Sequence, residues 1–144
     1  MLTDAEIIDR WRDEPAPLLP ILHAFHDRDG HLSDAALRTT ARALRIPLAD
    51  LYGTVTFYHH FARDADRTQE APRVCTGPIC CQRGGNEILA ELAGDGATPM
   101  PCAGRCDDPV PVLRGHEVLV GRSVSDLESR PPLLPPPNPV GIEE

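Results

Sequence analysis

The chain has 144 residues, 41% of them apolar and 25% charged, enough for a modest packed core and too apolar for a wholly disordered chain. Twenty-two acids against 14 bases give a formal charge of -8, which argues against a surface built to neutralise nucleic-acid phosphates. No apolar run approaches the roughly 18 residues of a membrane span, and the opening Met1-Leu2-Thr3-Asp4-Ala5-Glu6 is acidic where a secretory leader is basic. The expectation is a cytoplasmic protein without direct membrane insertion.

Thr3 and Glu6 stand at capping-box spacing and predict a helix over 4–12, ended by Pro15 and Pro17. Leu18, Ile21, Leu22 and Phe25 follow the i, i+3, i+4, i+7 pattern of an amphipathic helix over 18–28, with Gly30 as a left-handed stop. Ser33 caps a third helix, whose apolar stripe is Leu37, Ala41 and Leu44 and whose basic stripe is Arg38, Arg42 and Arg45. Pro47 is expected to end it. A fourth helix is predicted over 47–58, with Leu48, Leu51, Val55 and Tyr58 on one face and a bend near Gly53. The neighbouring histidines His59 and His60 would point about 100° apart on a helix and cannot easily share one ion, so solvated or capping roles are expected for them and for His23 and His26.

Trp11, Phe25, Tyr52, Phe57, Tyr58 and Phe61 all precede residue 62, and all five cysteines follow it. The first part therefore reads as a packed structural unit and the second as the carrier of chemistry. Arg73-Val74-Cys75 resembles the end of a short strand, followed by a loop through Cys80 and a helix over 86–93. Thr98-Pro99-Met100-Pro101 leads into a second loop, Cys102 to Cys106. Two extended pieces joined at Arg114-Gly115-His116 predict a hairpin, and the capping-box spacing of Ser125 and Glu128 predicts a last short helix. The prolines at 99 and 101 suit an edge strand, whereas Pro109 and Pro111 place the start of a central strand near Pro111.

The cysteines read C-x4-C, 21 residues, then C-x3-C, each pair in a glycine-containing loop. An odd number of cysteines in a chain with no export signal favours a metal or redox site over a disulfide framework. Four thiolates meet the need of a [2Fe-2S] cluster, two per iron, and Gly77 and Gly104 allow backbone amides to turn toward the sulfurs. Structural zinc accepts the same donors but more often shows C-x2-C. A redox disulfide at Cys75 and Cys80, or at Cys80 and Cys81, lacks the C-x-x-C motif, and plant-type ferredoxin spacing fails at its third cysteine. Arg105 would favour the reduced cluster while Asp107 and Asp108 oppose it, and the sequence leaves the direction of tuning open.

From about Leu18 to Leu127 the chain resembles the thioredoxin-like [2Fe-2S] subunits of NAD-linked oxidoreductases: the E-type subunit of complex I, its counterpart in NAD-reducing hydrogenases, and the gamma subunit of NAD-dependent formate dehydrogenase. The similarity lies in Leu19 to Phe25, Leu51 to Phe61, Cys75 to Gly84 and Cys102 to Pro109, and the second stretch is most similar to the formate dehydrogenase form. The resemblance implies an α/β architecture, with an N-terminal helical bundle (1–68), a thioredoxin-like [2Fe-2S] ferredoxin domain (69–130) and a proline-rich tail (131–144). It implies one cluster on Cys75, Cys80, Cys102 and Cys106, the first two on one iron and the last two on the other. Gly84, four residues after Cys80, matches a family glycine and makes Cys80 the ligand and Cys81 a spare, buried thiol. The segment between the two cysteine pairs is shorter than the family's usual one.

The implied role is one-electron transfer, non-catalytic alone, beside a flavin- and NAD-binding subunit that carries the FMN and NAD. A formate dehydrogenase or other catalytic subunit would complete the complex, and the arginine stripe is a candidate docking surface. No G-x-G-x-x-G after a strand and no P-loop occurs in this chain. A zinc-stabilised structural module without electron transfer is the alternative. The tail is expected to be extended and polyproline-like.

Overall fold

The computed structural model describes residues 1–65 and 70–131. Four helices open the chain: α1 (Asp4–Trp11), α2 (Leu18–Asp29), α3 (Asp34–Leu44) and α4 (Leu48–Phe57). The Thr3 hydroxyl accepts the Glu6 N–H at 3.3 Å and the Thr3 N–H donates to Glu6 Oε2 at 2.7 Å, completing the expected box. Gly30 ends α2 at φ 74°, a left-handed conformation that costs glycine little. The end of α3 differs from expectation. Arg45, not Pro47, turns the chain, at φ 55°.

These helices bury Ile7, Ile21, Leu22, Phe25, Leu37, Leu51 and Val55 in one core. α4 runs continuously through Gly53, where the sequence suggested a bend, and Tyr58 lies just past its end, exposed and off the apolar face. Arg38 and Arg42 are exposed on α3, above a small cavity of about 250 Å³ floored by Ala41, Ile46 and Leu48.

Among the described residues a five-stranded sheet follows, in the order β2-β1-β3-β4-β5. Its strands are β1 (Arg73–Cys75), β2 (Thr98–Met100), β3 (Pro111–Arg114), β4 (Glu117–Val120) and β5 (Glu128–Arg130). β1 and β2 are parallel, with Cys75 opposite Met100, and the remaining pairs are antiparallel. Pro99 sits exposed in the edge strand β2 and Pro111 opens β3, as their missing N–H groups require. Val74, Ile88, Leu92, Met100, Val110 and Val112 form a second core that includes Cys75 and Cys80. The α/β architecture thus has helices first and a mixed sheet after them. The expected boundary at 68/69 and the tail beyond Pro131 lie outside the described residues.

Two local expectations are corrected. The segment after Cys75 is not a plain loop, because Pro78 starts the short helix α5 (Pro78–Gln82), followed by α6 (Gly85–Glu91). The last predicted helix is a single 3-10 turn, Val124–Asp126, and Glu128 starts β5 instead of closing a cap. The open edge of β4 supplies the reason: it pairs with residues 128–130, and a ladder of backbone hydrogen bonds outweighs one local cap. Among the described residues no helix is long and apolar enough to cross a membrane.

Candidate metal centre

The parallel pairing of β1 with β2 sets the two cysteine segments side by side. Cys75 is the last residue of β1, Cys80 lies in α5, and Cys102 is the second residue after β2, with Pro101 between. Thr76 ties the segments together, its N–H and its hydroxyl both donating to the Met100 carbonyl, at 3.0 and 3.1 Å. Gly77 passes so close that a Cβ there would lie 3.1 Å from Cys102 Cβ. A side chain there would push the Cys102 segment back by a few tenths of an ångström, and glycine lets the loops keep this approach.

All five cysteines are free thiols. Cys75 and Cys80 are buried, while Cys102 and Cys106 are exposed with their Sγ atoms 3.5 Å apart. The Gly104 N–H donates to Cys102 Sγ at 3.4 Å, the amide-to-sulfur contact that the glycine was expected to allow. The four interact as one group. Burial first, then the hydrogen bond with Cys75 and the nearness of Cys75, Cys106 and Cys102, push the Cys80 thiol up to about 12. Cys106 is raised by Cys102, Cys75 and Asp107, and Cys102 is lowered by the Gly104 amide and Cys106. A thiol whose ionisation is opposed by neighbouring sulfurs, as at Cys80 and Cys106, becomes a good ligand when cations sit among them, and this all-sulfur donor set fits an iron–sulfur centre.

Cys81 is only half-buried, not the buried thiol expected, and its Sγ donates to the Thr76 carbonyl at 3.2 Å and approaches Asn86 Oδ1 at 3.8 Å. Gly84 has φ 102°, and a Cβ there would lie 2.5 Å from the Arg122 carbonyl oxygen. Its neighbour Gly85 was missed in the sequence although it is equally constrained: a Cβ there would lie 2.7 Å from the Cys75 carbonyl oxygen and 2.9 Å from that of Cys80. The adjacent glycine pair was the available signal.

The charges around the second loop are unequal in burial. The Arg105 side chain is 11% exposed and its Nη2 donates to the Pro131 carbonyl at 2.6 Å. Asp108 stands 4.0 Å from Arg105 and is itself held by Arg130 Nε at 3.2 Å, while Asp107 is exposed. Arg105 is therefore the most buried of these charges, and in the sequence it stands between Cys102 and Cys106.

His59 is exposed, as expected, but His23, His26 and His60 are wholly or partly buried. His23, His26, His60 and His116 form a cluster where α2 meets the sheet, with the His60 ring centroid 4.9, 5.0 and 5.2 Å from those of His23, His26 and His116. His26 is fully buried and its Nε2 accepts the Ala62 N–H at 2.9 Å. Arg73 Nη2 donates to His60 Nδ1 at 3.2 Å. Ligand atoms of His26, Asp27 and His60 lie within 4.8 Å of one another. They do not suit a cation, however, because each ring already accepts a proton donor at one nitrogen, so its other nitrogen carries the hydrogen of the neutral imidazole.

Comparison with known proteins agrees with the cysteine set's chemistry. The model of the thioredoxin-like [2Fe-2S] ferredoxin family matches residues 5–122. The chain is similar to the E-type subunits of NADH-quinone oxidoreductase from Mycobacterium bovis and from two strains of Mycobacterium tuberculosis, at 33% identity over 87 residues in each case. The matched region is 60% of this chain and 34% of each relative, so the chain spans about a third of their length.

Proposed function

Because this chain belongs to the thioredoxin-like [2Fe-2S] ferredoxin family, we propose that Cys75 and Cys80 hold one iron of its cluster and Cys102 and Cys106 the other. In this reading the protein carries single electrons beside an FMN- and NAD-binding subunit of a larger NAD-dependent oxidoreductase in the cytoplasm. The observation that carries it is the convergence of two buried and two exposed thiols from segments joined by the β1–β2 pairing. When bound, a [2Fe-2S] cluster takes up and gives back one electron without proton transfer at carbon. The chain's own residues do the rest. Val74, Ile88 and Met100 keep water from the Cys75 and Cys80 side, and the Gly104 amide disperses charge on Cys102.

Formate dehydrogenase is the finer assignment, supported by the stretch Leu51 to Phe61. The relatives named as NADH-quinone oxidoreductase subunits support the complex I counterpart instead. The exposed arginines on α3 would receive acidic groups of an adjoining subunit. Anaerobic mixing with an NADH-oxidising flavoprotein subunit tests the reading. NADH should bleach the visible absorption of this protein only when the flavoprotein is present, and absence of bleaching would overturn the role.

The burial of Arg105 gives a direction to the tuning that the sequence left open. Arg105→Gln is expected to make the cluster harder to reduce, by about 1 kcal/mol or roughly fivefold in the reduction equilibrium, for the loss of a partly buried charge that Asp108 offsets in part. Arg105→Lys should retain most of the native potential. A redox titration in which Arg105→Gln matches the native protein contradicts this electrostatic role.

A further inference from the structure

Apart from Met1 and Leu2 at the chain start, the large apolar side chains left exposed among the described residues are Phe57, Tyr58 and Ile79. All three lie beside the cysteine segments. Ile79 stands next to Cys80 in α5, and Phe57 and Tyr58 line one open cleft of about 620 Å³ whose opposite wall is Met100, Pro101, Cys102 and Ala103. Phe57 is 74% exposed, its ring stacked edge-on to Tyr58 at 5.0 Å and not inserted into the helical core. Exposed aromatic surface gathered at one place, rather than scattered singly, marks an interaction site.

We propose that this cleft seats a separate redox protein, one that inserts an apolar knob ringed by neutral or basic groups and so brings its own redox group against the Cys102 and Cys106 edge. The inference rests on the electron-carrier reading above and adds where the partner sits. Burial of Cys75 and Cys80 closes the other side of the site, and electron tunnelling weakens steeply with distance, which leaves the exposed cysteine pair as the way in. A second copy of this chain fits the cleft poorly. Each chain carries a formal charge of -8, so two copies repel as they approach, and Cys102 would face its own kind across the contact. A carrier paired with its own copy would also gain no source of electrons. The cleft is composite, with the helical part supplying Phe57 and Tyr58 and the sheet part supplying Cys102, so a partner seated there is aligned by the helices while it touches a ligand loop.

The test uses the full cluster-loaded chain and a purified NADH-oxidising flavoprotein subunit as probe, with dissociation constant and rate of cluster reduction as readouts. Phe57→Glu is expected to weaken binding about 30-fold or more and to slow reduction at limiting flavoprotein, with visible spectrum and iron content unchanged. Phe57→Leu should lie within about threefold of the native chain, and Leu2→Glu, which alters an exposed apolar residue elsewhere, should match it. Native binding and reduction by Phe57→Glu would overturn the seat and leave the electron-carrier reading intact. Unchanged flavoprotein binding together with loss of self-association by light scattering would assign the cleft to a second copy and equally overturn it. A native chain that the flavoprotein cannot reduce would sink both.

Discussion

Cys80→Ser is expected to strip the protein of its cluster, whereas Cys81→Ser leaves it in place. The two residues are adjacent, and Cys80 is buried, with Cys75, Cys106 and Cys102 near enough to oppose its ionisation. Cys81 is directed to the Thr76 carbonyl and Asn86, contacts that a serine hydroxyl can also make. In anaerobically purified protein, iron and acid-labile sulfide should fall to near zero in the first variant and remain at the native level in the second. The stability of the second should stay within about 0.5 kcal/mol of the native value, as for most substitutions away from core and cap. Loss of the cluster on exchanging Cys81, with Cys80→Ser still coloured, would reverse the ligand assignment.

Acidification should loosen the joint between helices and sheet. Burial is the first cause holding His26 at about 4 and His60 at about 3, well below the ordinary value near 6.5. The groups facing them are His23 and Asp27 from α2, Arg73 from β1 and His116 from the β3–β4 turn; of these Asp27, which accepts from His116 Nε2 at 2.8 Å, favours protonation of His26, and the others oppose protonation of both rings. A histidine whose value is depressed in the folded state contributes full stability above pH of about 6.5, and that stability is lost as the pH falls toward the folded value, because the unfolded chain takes up the proton first. Between about pH 7 and pH 5 the two rings together should cost roughly 2–3 kcal/mol, allowing for solvent at the half-buried His60. His60→Gln, which keeps an acceptor for Arg73 without titrating, should remove about half of that dependence. Urea unfolding at the two pH values measures it, and identical pH slopes for native and His60→Gln proteins would contradict the origin assigned here.

Much of this architecture is legible in the sequence where a local signal and a long-range contact agree. Thr3 with Glu6, Gly30 and the Leu18 to Phe25 stripe specify their helices unaided, and Pro99 and Pro111 mark an edge strand and the first residue of an inner one. Ser125 with Glu128 carries the same local signal as Thr3 with Glu6, yet residues 128–130 pair with β4, a partner that no nearby residue announces. α5 escapes notice because five residues show no periodicity and only Pro78 marks the start. The cysteine set is readable because its chemistry is rare and its spacing is local within each pair. What spacing cannot convey is the approach of Gly77 to Cys102, the need for Gly85 under two carbonyls, or the gathering of His23, His60 and His116 from three separate elements. Those depend on the register of β1 with β2 and on how α2 meets the hairpin.

Iron, zinc and acid-labile sulfide determination on the full chain, purified without oxygen and paired with an electron paramagnetic resonance spectrum after reduction, tests the account most directly. It predicts about two irons and two sulfides per chain and the signal of one reduced [2Fe-2S] centre. A colourless protein with about one zinc per chain, no sulfide and no signal would contradict it, and would make the same four cysteines the anchor of a structural module.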